Sequence, residues 1–209
     1  DPFGGKEDLK NGIIRAVGDP NERFEEDALR ILRALRFASK LGFEIETKTA
    51  VAMHEKKELL KEISAERIFS ELKLILCGKD ATKVLLDFSD IIGQIIPEIK
   101  PTIGFEQHNK HHVYDVYTHT AVAVGSIDPD PTLRLTMLLH DIGKPDVYHF
   151  EDGQGHFYGH PEVSAEIART VLNRLKCDNA TKDTVLTLIK EHDNRFPPEK
   201  KALNECSAK

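Results

Sequence analysis

The chain has 209 residues, of which 40% are apolar and 31% charged, with a formal net charge of −6 at pH 7. That balance supports one or two buried helical cores and excludes a disordered chain or a uniformly basic nucleic-acid binder, so any RNA contact must use a local basic patch. Cys77, Cys177 and Cys206 have neither CxxC spacing nor an even count, and no apolar run nears the ~18 residues of a membrane span, which together predict a reducing cytoplasmic setting with no membrane partner. The first 20 residues are turn-rich, with Gly4, Gly5, Gly12, Gly18 and Pro20 around one apolar stretch, Ile13 to Val17, that reads as a lone strand. A lone strand needs a sheet, and no partner strand is predicted in this chain. Together with the start at Asp1 without a methionine, this gives the expectation of a piece of a longer protein whose preceding domain is missing.

From Phe24, apolar residues at Ala28, Ile31, Leu32, Leu35 and Ala38 recur at helical spacing, with Asp19, Pro20 and Glu22 as the cap and Gly42 as the stop. Further helices are predicted from Thr49 to Leu60, from Ala65 to Leu76 between Ser64 and Gly78, and from Ala81 to Phe88. Pro97 and Pro101 interrupt the stretch from Ile91 to Gly104, which is read as a boundary between two units. Beyond it, helices are expected at about residues 112–126, 131–141, 161–176 and 180–192, with a loop or small hairpin from Tyr148 to Tyr158. The fold class is therefore all-α.

Asp27, Arg30, Arg33 and Arg36 step by three residues and form a slanted stripe opposite the apolar face. A carboxylate accepts from an exocyclic base amine, and guanidinium forks donate to base acceptors or phosphate oxygens, so the stripe suits a nucleoside triphosphate. The competing reading is a solvated face on which Glu26 and Asp27 pair with Arg30 and Arg33, each contact worth about 0.2–0.5 kcal/mol.

Residues 1–9 (DPFGGKEDL), 14–20 (IRAVGDP) and 23–38 (RFEEDALRILRALRFA), followed by Glu66-Arg67-Ile68, closely resemble the bacterial CCA-adding and poly(A) polymerase family. The resemblance implies that Asp27 and Arg30 of the Glu26-Asp27…Arg30 motif pair with the base of incoming CTP or ATP. It also implies that Arg33 and Arg36 line the same site, and that tRNA or another RNA is the partner. The family's Gly-Ser loop and its aspartate pair, which hold two magnesium ions, would precede Asp1. Without that pair, metal-assisted phosphoryl transfer has no centre, and these residues alone are not expected to add nucleotides.

Nine of the ten histidines lie between His108 and His192, which singles out the second half of the chain for metal chemistry. His111, His112, His149 and His156 read as exposed or outer-sphere groups. The sharper feature is Leu138-Leu139-His140-Asp141-Ile142-Gly143-Lys144, where His and Asp end an apolar helix and Gly143 permits the turn that follows. Imidazole and carboxylate side by side suit a hard-to-borderline divalent cation, with further ligands needed from His119, His160, His192 and Asp193. Lys144 reads either as a phosphate-stabilising group or as a surface charge past a helix end.

The order His119, His140-Asp141, Asp193 resembles the HD phosphohydrolase superfamily. Gly159-His160-Pro161 and His192 look like the additional histidines of members that hold a second metal. The resemblance implies hydrolysis of a phosphate ester or cyclic phosphodiester at Asp141, with manganese, nickel, iron or magnesium rather than a structural thiolate zinc. The resulting organisation is an N-terminal strand remnant of a missing head (1–22), a helical nucleotide- and RNA-binding neck (23–100) and a helical HD domain (101–209). The alternatives are a poly(A) polymerase relative, a stand-alone HD nucleotide hydrolase, and a non-catalytic RNA-binding or dimerising module. A purified chain without bound divalent ion or phosphatase activity would leave only the last.

Overall fold

The computed structural model describes residue 1 and residues 3–108 and 113–194, so the expectations placed on His111, His112 and Cys206 lie outside the described residues. Its helices begin where the sequence supplies a reason to begin. Helix α1 (Gly5–Asn11) closes on Gly12 at φ 68, a left-handed position that favours glycine. Strand β1 (Ile13–Ile14) follows, and then α2 (Pro20–Glu26), where the Asp19 carboxylate accepts from Asn21 N at 2.8 Å and Pro20 sits in the first turn. Helix α3 spans Leu29–Leu41 and stops at Gly42, also at φ 68. Two expectations are corrected here. The helix read as continuous from Phe24 breaks at Asp27, whose backbone is extended and whose Oδ1 accepts from Leu29 N at 3.1 Å. An aspartate that satisfies the backbone with its own side chain competes with helical hydrogen bonds and restarts the helix instead. The strand is also not alone, since β1 pairs in parallel with β2 (Glu44–Ile45), Ile13 facing Glu44 and Ile14 facing Ile45.

Helix α4 (Thr47–Lys56) gives way to a 3₁₀ turn at Lys57–Glu62, so the run expected to Leu60 is two elements. Helices α5 (Ala65–Leu76) and α6 (Ala81–Asp87) follow the sequence reading closely. The proline-broken stretch is not a linker: α7 (Ser89–Ile95) and a 3₁₀ turn (Pro97–Thr102) bury Ile91, Ile92, Ile95, Ile96 and Ile99 in the core. Pro97 at the start of the turn and Pro101 within it punctuate a packed segment without exposing its isoleucines.

Four helices frame the second half: α8 (Val116–Ser126), α9 (Pro131–Leu139), α10 (His160–Arg174) and α11 (Asn179–Glu191). Asp115, Asp130 and Asp178 cap α8, α9 and α11 through their carboxylates. Between α9 and α10 an antiparallel hairpin pairs β3 (His149–Glu151) with β4 (Gln154–His156). Helix α9 packs on α8, α11 and α5, α10 packs on α11, and α6 packs on α8, so one apolar core runs through both halves. Among the described residues, no helix is long and apolar enough to cross a membrane.

The seam between the halves is held by a buried cation. Arg134 on α9, 5% exposed, donates from Nη1 to the carbonyls of Leu76 (2.7 Å) and Gly78 (2.9 Å) at the end of α5. Its Nη2 donates to Ile127 O at 2.9 Å. A guanidinium on a helix's terminal carbonyls satisfies groups that have no partner within the helix and complements the local negative charge.

Candidate metal centre and charged helix

Asp141 is the centre of the site. It lies one residue past the C-cap of α9, is 2% exposed, and neither carboxylate oxygen receives a well-formed hydrogen bond. Four imidazole Nε2 atoms surround it. His119 on α8 and His140 stand 3.5 and 3.2 Å from Oδ2, while His160 at the start of α10 and His192 at the end of α11 stand 3.2 and 3.6 Å from Oδ1. His160 and His192 approach each other to 3.1 Å through their Nε2 atoms.

The backbone sets the tautomers. Nδ1 of His140, His160 and His192 meets the carbonyl three residues earlier, Met137 O (2.8 Å), Phe157 O (2.8 Å) and Ile189 O (2.6 Å). A carbonyl only accepts, so each Nδ1 donates to its carbonyl, which fixes the ring and aims each Nε2 at Asp141. Imidazole nitrogens converging on a buried carboxylate, beside the Lys144 ammonium 2.8 Å from Oδ2, form a cradle of metal-type donors. His119, His140 and Asp141 offer donor atoms within 4.8 Å of one another, and Asp141, His160 and His192 do the same. Burial works to raise the Asp141 pKa, yet His140 above all, with His160 and His192, holds it well below the usual carboxylate range. Burial likewise opposes charging of His192, but Asp141, the Ile189 carbonyl and Asp193 together push its pKa up.

Lys144 is not a surface charge. It is 5% exposed, with Nζ 2.8 Å from Asp141 Oδ2, 3.0 Å from Gln107 Oε1 and 5.2 Å from the centre of the Phe157 ring. Asp193 stays at the mouth with its side chain 63% exposed, 3.6 Å from His160 and outside both donor groups. Gly143 has an ordinary φ of −88, so the turn does not require glycine there. The requirement is proximity: a Cβ on Gly143 would stand 2.6 Å from Ser164 N on α10, and Gly143 N donates to Ser164 Oγ at 3.0 Å. His149 is exposed and His156 half-buried on the hairpin.

The charged helix is organised differently. Glu26 pairs with Arg23 (2.9 Å) and Arg30 (2.8 Å), which hold its carboxyl below the usual range. Arg36 reaches across to Glu71 on α5 at 3.0 Å and lies over the Phe37 ring. Asp27 faces Arg67 at 3.4 Å. Because α3 starts only after Asp27, the structure separates that residue from the arginines. Arg30 and Arg33 line a cavity of about 530 Å³ with Arg15, Arg23 and Phe37, whereas Asp27 borders a smaller one of about 280 Å³ with Glu25, Glu62 and Arg67.

Comparison with known proteins bears on both halves. Residues 42–103 match the family model described as the probable RNA and SrmB-binding site of polymerase A, and residues 106–208 match the HD domain. The A-adding tRNA nucleotidyltransferase of Deinococcus radiodurans is 33% identical over 211 residues, covering 94% of this chain and 48% of that protein. The CC-adding tRNA nucleotidyltransferase of Thermus thermophilus is 34% identical over 214 residues, covering 96% of this chain and 49% of that protein. The chain belongs to the CCA-adding and poly(A) polymerase family and carries an HD domain. It spans about half the length of these family members. A solved tRNA-processing enzyme in an apo form shares the fold at a TM-score of 0.57 with 23% identity, covering 91% of this chain and 49% of that one.

Within this family framework, the sequence reading missed several residues that shape the two sites. Arg15 and Arg23 join the arginine cavity from outside the three-residue stripe. Gln107 reaches Lys144 from a loop with no periodic signal, and Ser164 meets Gly143 from one turn inside α10. For Ser164, the signal in the sequence is a small residue one turn into the helix that Gly159-His160-Pro161 opens.

Proposed function

We propose that the chain supplies two working parts of a tRNA nucleotidyltransferase, namely a metal-dependent phosphohydrolase centred on Asp141 and a helical segment that selects incoming CTP or ATP for addition to tRNA 3′ ends. The hydrolase reading rests on one observation: a buried carboxylate ringed by the Nε2 atoms of imidazoles that backbone carbonyls hold in place. Lys144 balances part of the buried charge, and a divalent cation would engage the imidazole nitrogens as well. His119, His140 and Asp141 would hold one divalent ion and Asp141, His160 and His192 a second, with Asp193 at the mouth. Nitrogen and carboxylate donors suit manganese, nickel, iron or magnesium. When bound, such a cation polarises a phosphoryl oxygen and lowers the pKa of attacking water.

The chain's own groups do the rest. The backbone carbonyls keep each Nε2 aimed inward, Gly143 lets α10 close against the end of α9, and Lys144 supplies a desolvated positive charge for the phosphate. The water oxygen forms the new bond to phosphorus as the ester P–O bond breaks. The mostly exposed carboxylate of Asp193 accepts the water's proton, and the leaving oxygen takes one from solvent.

For nucleotide selection, Arg30 and Arg33 face the 530 Å³ cavity from which a base or phosphate can be gripped. The exposed pair of Arg30 with Glu26 is worth no more than about 0.5 kcal/mol, so a triphosphate can displace it. Asp27 and Arg36 would tune the same helix through Arg67 and Glu71. The names of the relatives favour tRNA over a poly(A) tail as partner. A reducing cytoplasm fits the free thiols of Cys77 and Cys177.

The test is hydrolysis of p-nitrophenyl phosphate and adenosine 2′,3′-cyclic monophosphate by the manganese-loaded chain. Turnover that disappears with a chelator and in Asp141→Asn is expected. Stoichiometric bound metal with no turnover of either ester would refute the hydrolase reading.

A further inference from the structure

Beside the metal cradle lies a cavity of about 520 Å³, large enough for one nucleoside. Lys144, His160 and Asp193 border it, as do His156, Phe157 and Tyr158. His156 and Tyr158 are stacked, with ring centres 5.2 Å apart and planes 10° from parallel, and the Tyr158 hydroxyl and His156 Nδ1 share a hydrogen bond at 3.1 Å. Tyr158 nonetheless remains 74% exposed, the largest exposure of any aromatic side chain among the described residues. A large aromatic ring held parallel to its neighbour and left open to solvent contributes little to the core. It is a ready surface for another flat ring.

The segment is fixed relative to the cradle. The Phe157 carbonyl, between the two stacked residues, is the acceptor that orients His160. On the other side, Gly155 N donates to His108 O at 2.9 Å, and a Cβ there would stand 2.2 Å from Gln107 O, so only glycine allows the hairpin so close. Gln107 in turn accepts from Lys144, which contacts Asp141. The rings are thus tied to the candidate phosphate site through two independent short paths.

We propose that Tyr158, supported by His156, is the residue that gives the hydrolase site its specificity for base-bearing phosphates, stacking the base while the phosphate lies at the cradle. This rests on the hydrolase reading above. The base can belong to a free mononucleotide or to the last nucleotide of an RNA. Stacking is tolerant of base identity, because every base presents a π face, so the platform favours nucleotides over other phosphates without choosing among the bases.

The test uses the full chain loaded with manganese, as wild type, Tyr158→Ala, Tyr158→Leu and Tyr158→Phe. The substrates are adenosine 2′,3′-cyclic monophosphate, a short RNA ending in a 2′,3′-cyclic phosphate, and glycerol 2-phosphate, which has no base. For Ala and Leu, the ratio of kcat/KM on the base-bearing substrates to that on glycerol 2-phosphate is expected to fall about tenfold through KM, while Phe keeps it near wild type. A larger fall on the RNA assigns the platform to RNA ends, and a larger fall on the mononucleotide assigns it to free nucleotides. A ratio within twofold of wild type in both Ala and Leu overturns the proposal, as does a parallel loss on glycerol 2-phosphate. If the wild type hydrolyses none of the three, the hydrolase reading fails by itself, and the platform is then judged by calorimetry with adenosine monophosphate. Binding weakened about tenfold in Ala and kept in Phe supports it, and binding equal in all four proteins overturns it.

Discussion

The two charged constellations differ in what surrounds them. Along α3 and its approach, Glu26, Arg23 and Arg30 sit in solvent and satisfy one another, so their pairs hold little energy and can be exchanged for a ligand. Around Asp141, burial removes water, and the carboxylate is faced by the Lys144 ammonium and four imidazole nitrogens. The first arrangement is exposed and self-paired, whereas the second is buried and gathers metal-type donors on one carboxylate. Electrostatic patterning alone therefore does not mark a site; desolvated donors converging on one point do.

The contrast is broken most sharply at the cradle. Asp141→Asn or His140→Ala should lower divalent-ion affinity by more than about 100-fold, exceeding the usual effect of losing an outer-sphere partner, and should abolish phosphohydrolase turnover. Metal content by mass spectrometry and a turnover assay check both. The same substitutions should leave helicity by circular dichroism near wild type; joint loss of helicity would make the pair structural.

A second effect belongs to the seam. Arg134→Met leaves the buried carbonyls of Leu76, Gly78 and Ile127 without their donor and should cost about 2–4 kcal/mol in urea unfolding. A cost under about 0.5 kcal/mol would show that Arg134 does not hold the seam and that the other contacts between the halves suffice.

At the charged helix the expected changes are smaller. Arg33→Ala or Arg30→Ala should weaken CTP and ATP binding about 5- to 20-fold, the range for one charge-assisted hydrogen bond. Equal affinity in calorimetry would return α3 to a solvated face. The smallest effect is expected where Glu98 meets Arg174. The Arg174 guanidinium, opposed by burial, holds the Glu98 carboxyl below its usual range. A group with a depressed folded-state pKa adds stability above its unfolded value and loses it as pH falls through its folded value. Glu98→Gln should thus remove no more than about 1 kcal/mol at pH 7, because the pair is partly exposed and screened, and less as the pH falls through the carboxylate range. A pH-independent difference would show that the pair acts through packing.

How much of this could be read beforehand followed the range of the forces involved. Helix α5 was legible because its start signal, Ser64, its apolar period and its stop, Gly78, are contiguous in sequence. The break at Asp27 was hidden, because the apolar period runs on through it while a single carboxylate diverts the backbone. The pairing of Ile13–Ile14 with Glu44–Ile45 was out of reach, since two residues have no periodicity and their partners lie some thirty positions away. The histidines that gather on Asp141 were named from sequence, but the feature that makes them a cradle was not. Nothing in the order of residues says that three carbonyls fix the tautomers, that Lys144 is buried, or that Gln107 reaches it.

The most direct test of the central claim is anomalous diffraction from crystals of the chain soaked in manganese. The account predicts a peak about 2.0–2.4 Å from an Asp141 oxygen and from Nε2 of at least two of His119, His140, His160 and His192. Manganese bound elsewhere, with Asp141 instead neutralised by Lys144 and protonated imidazoles, would contradict it.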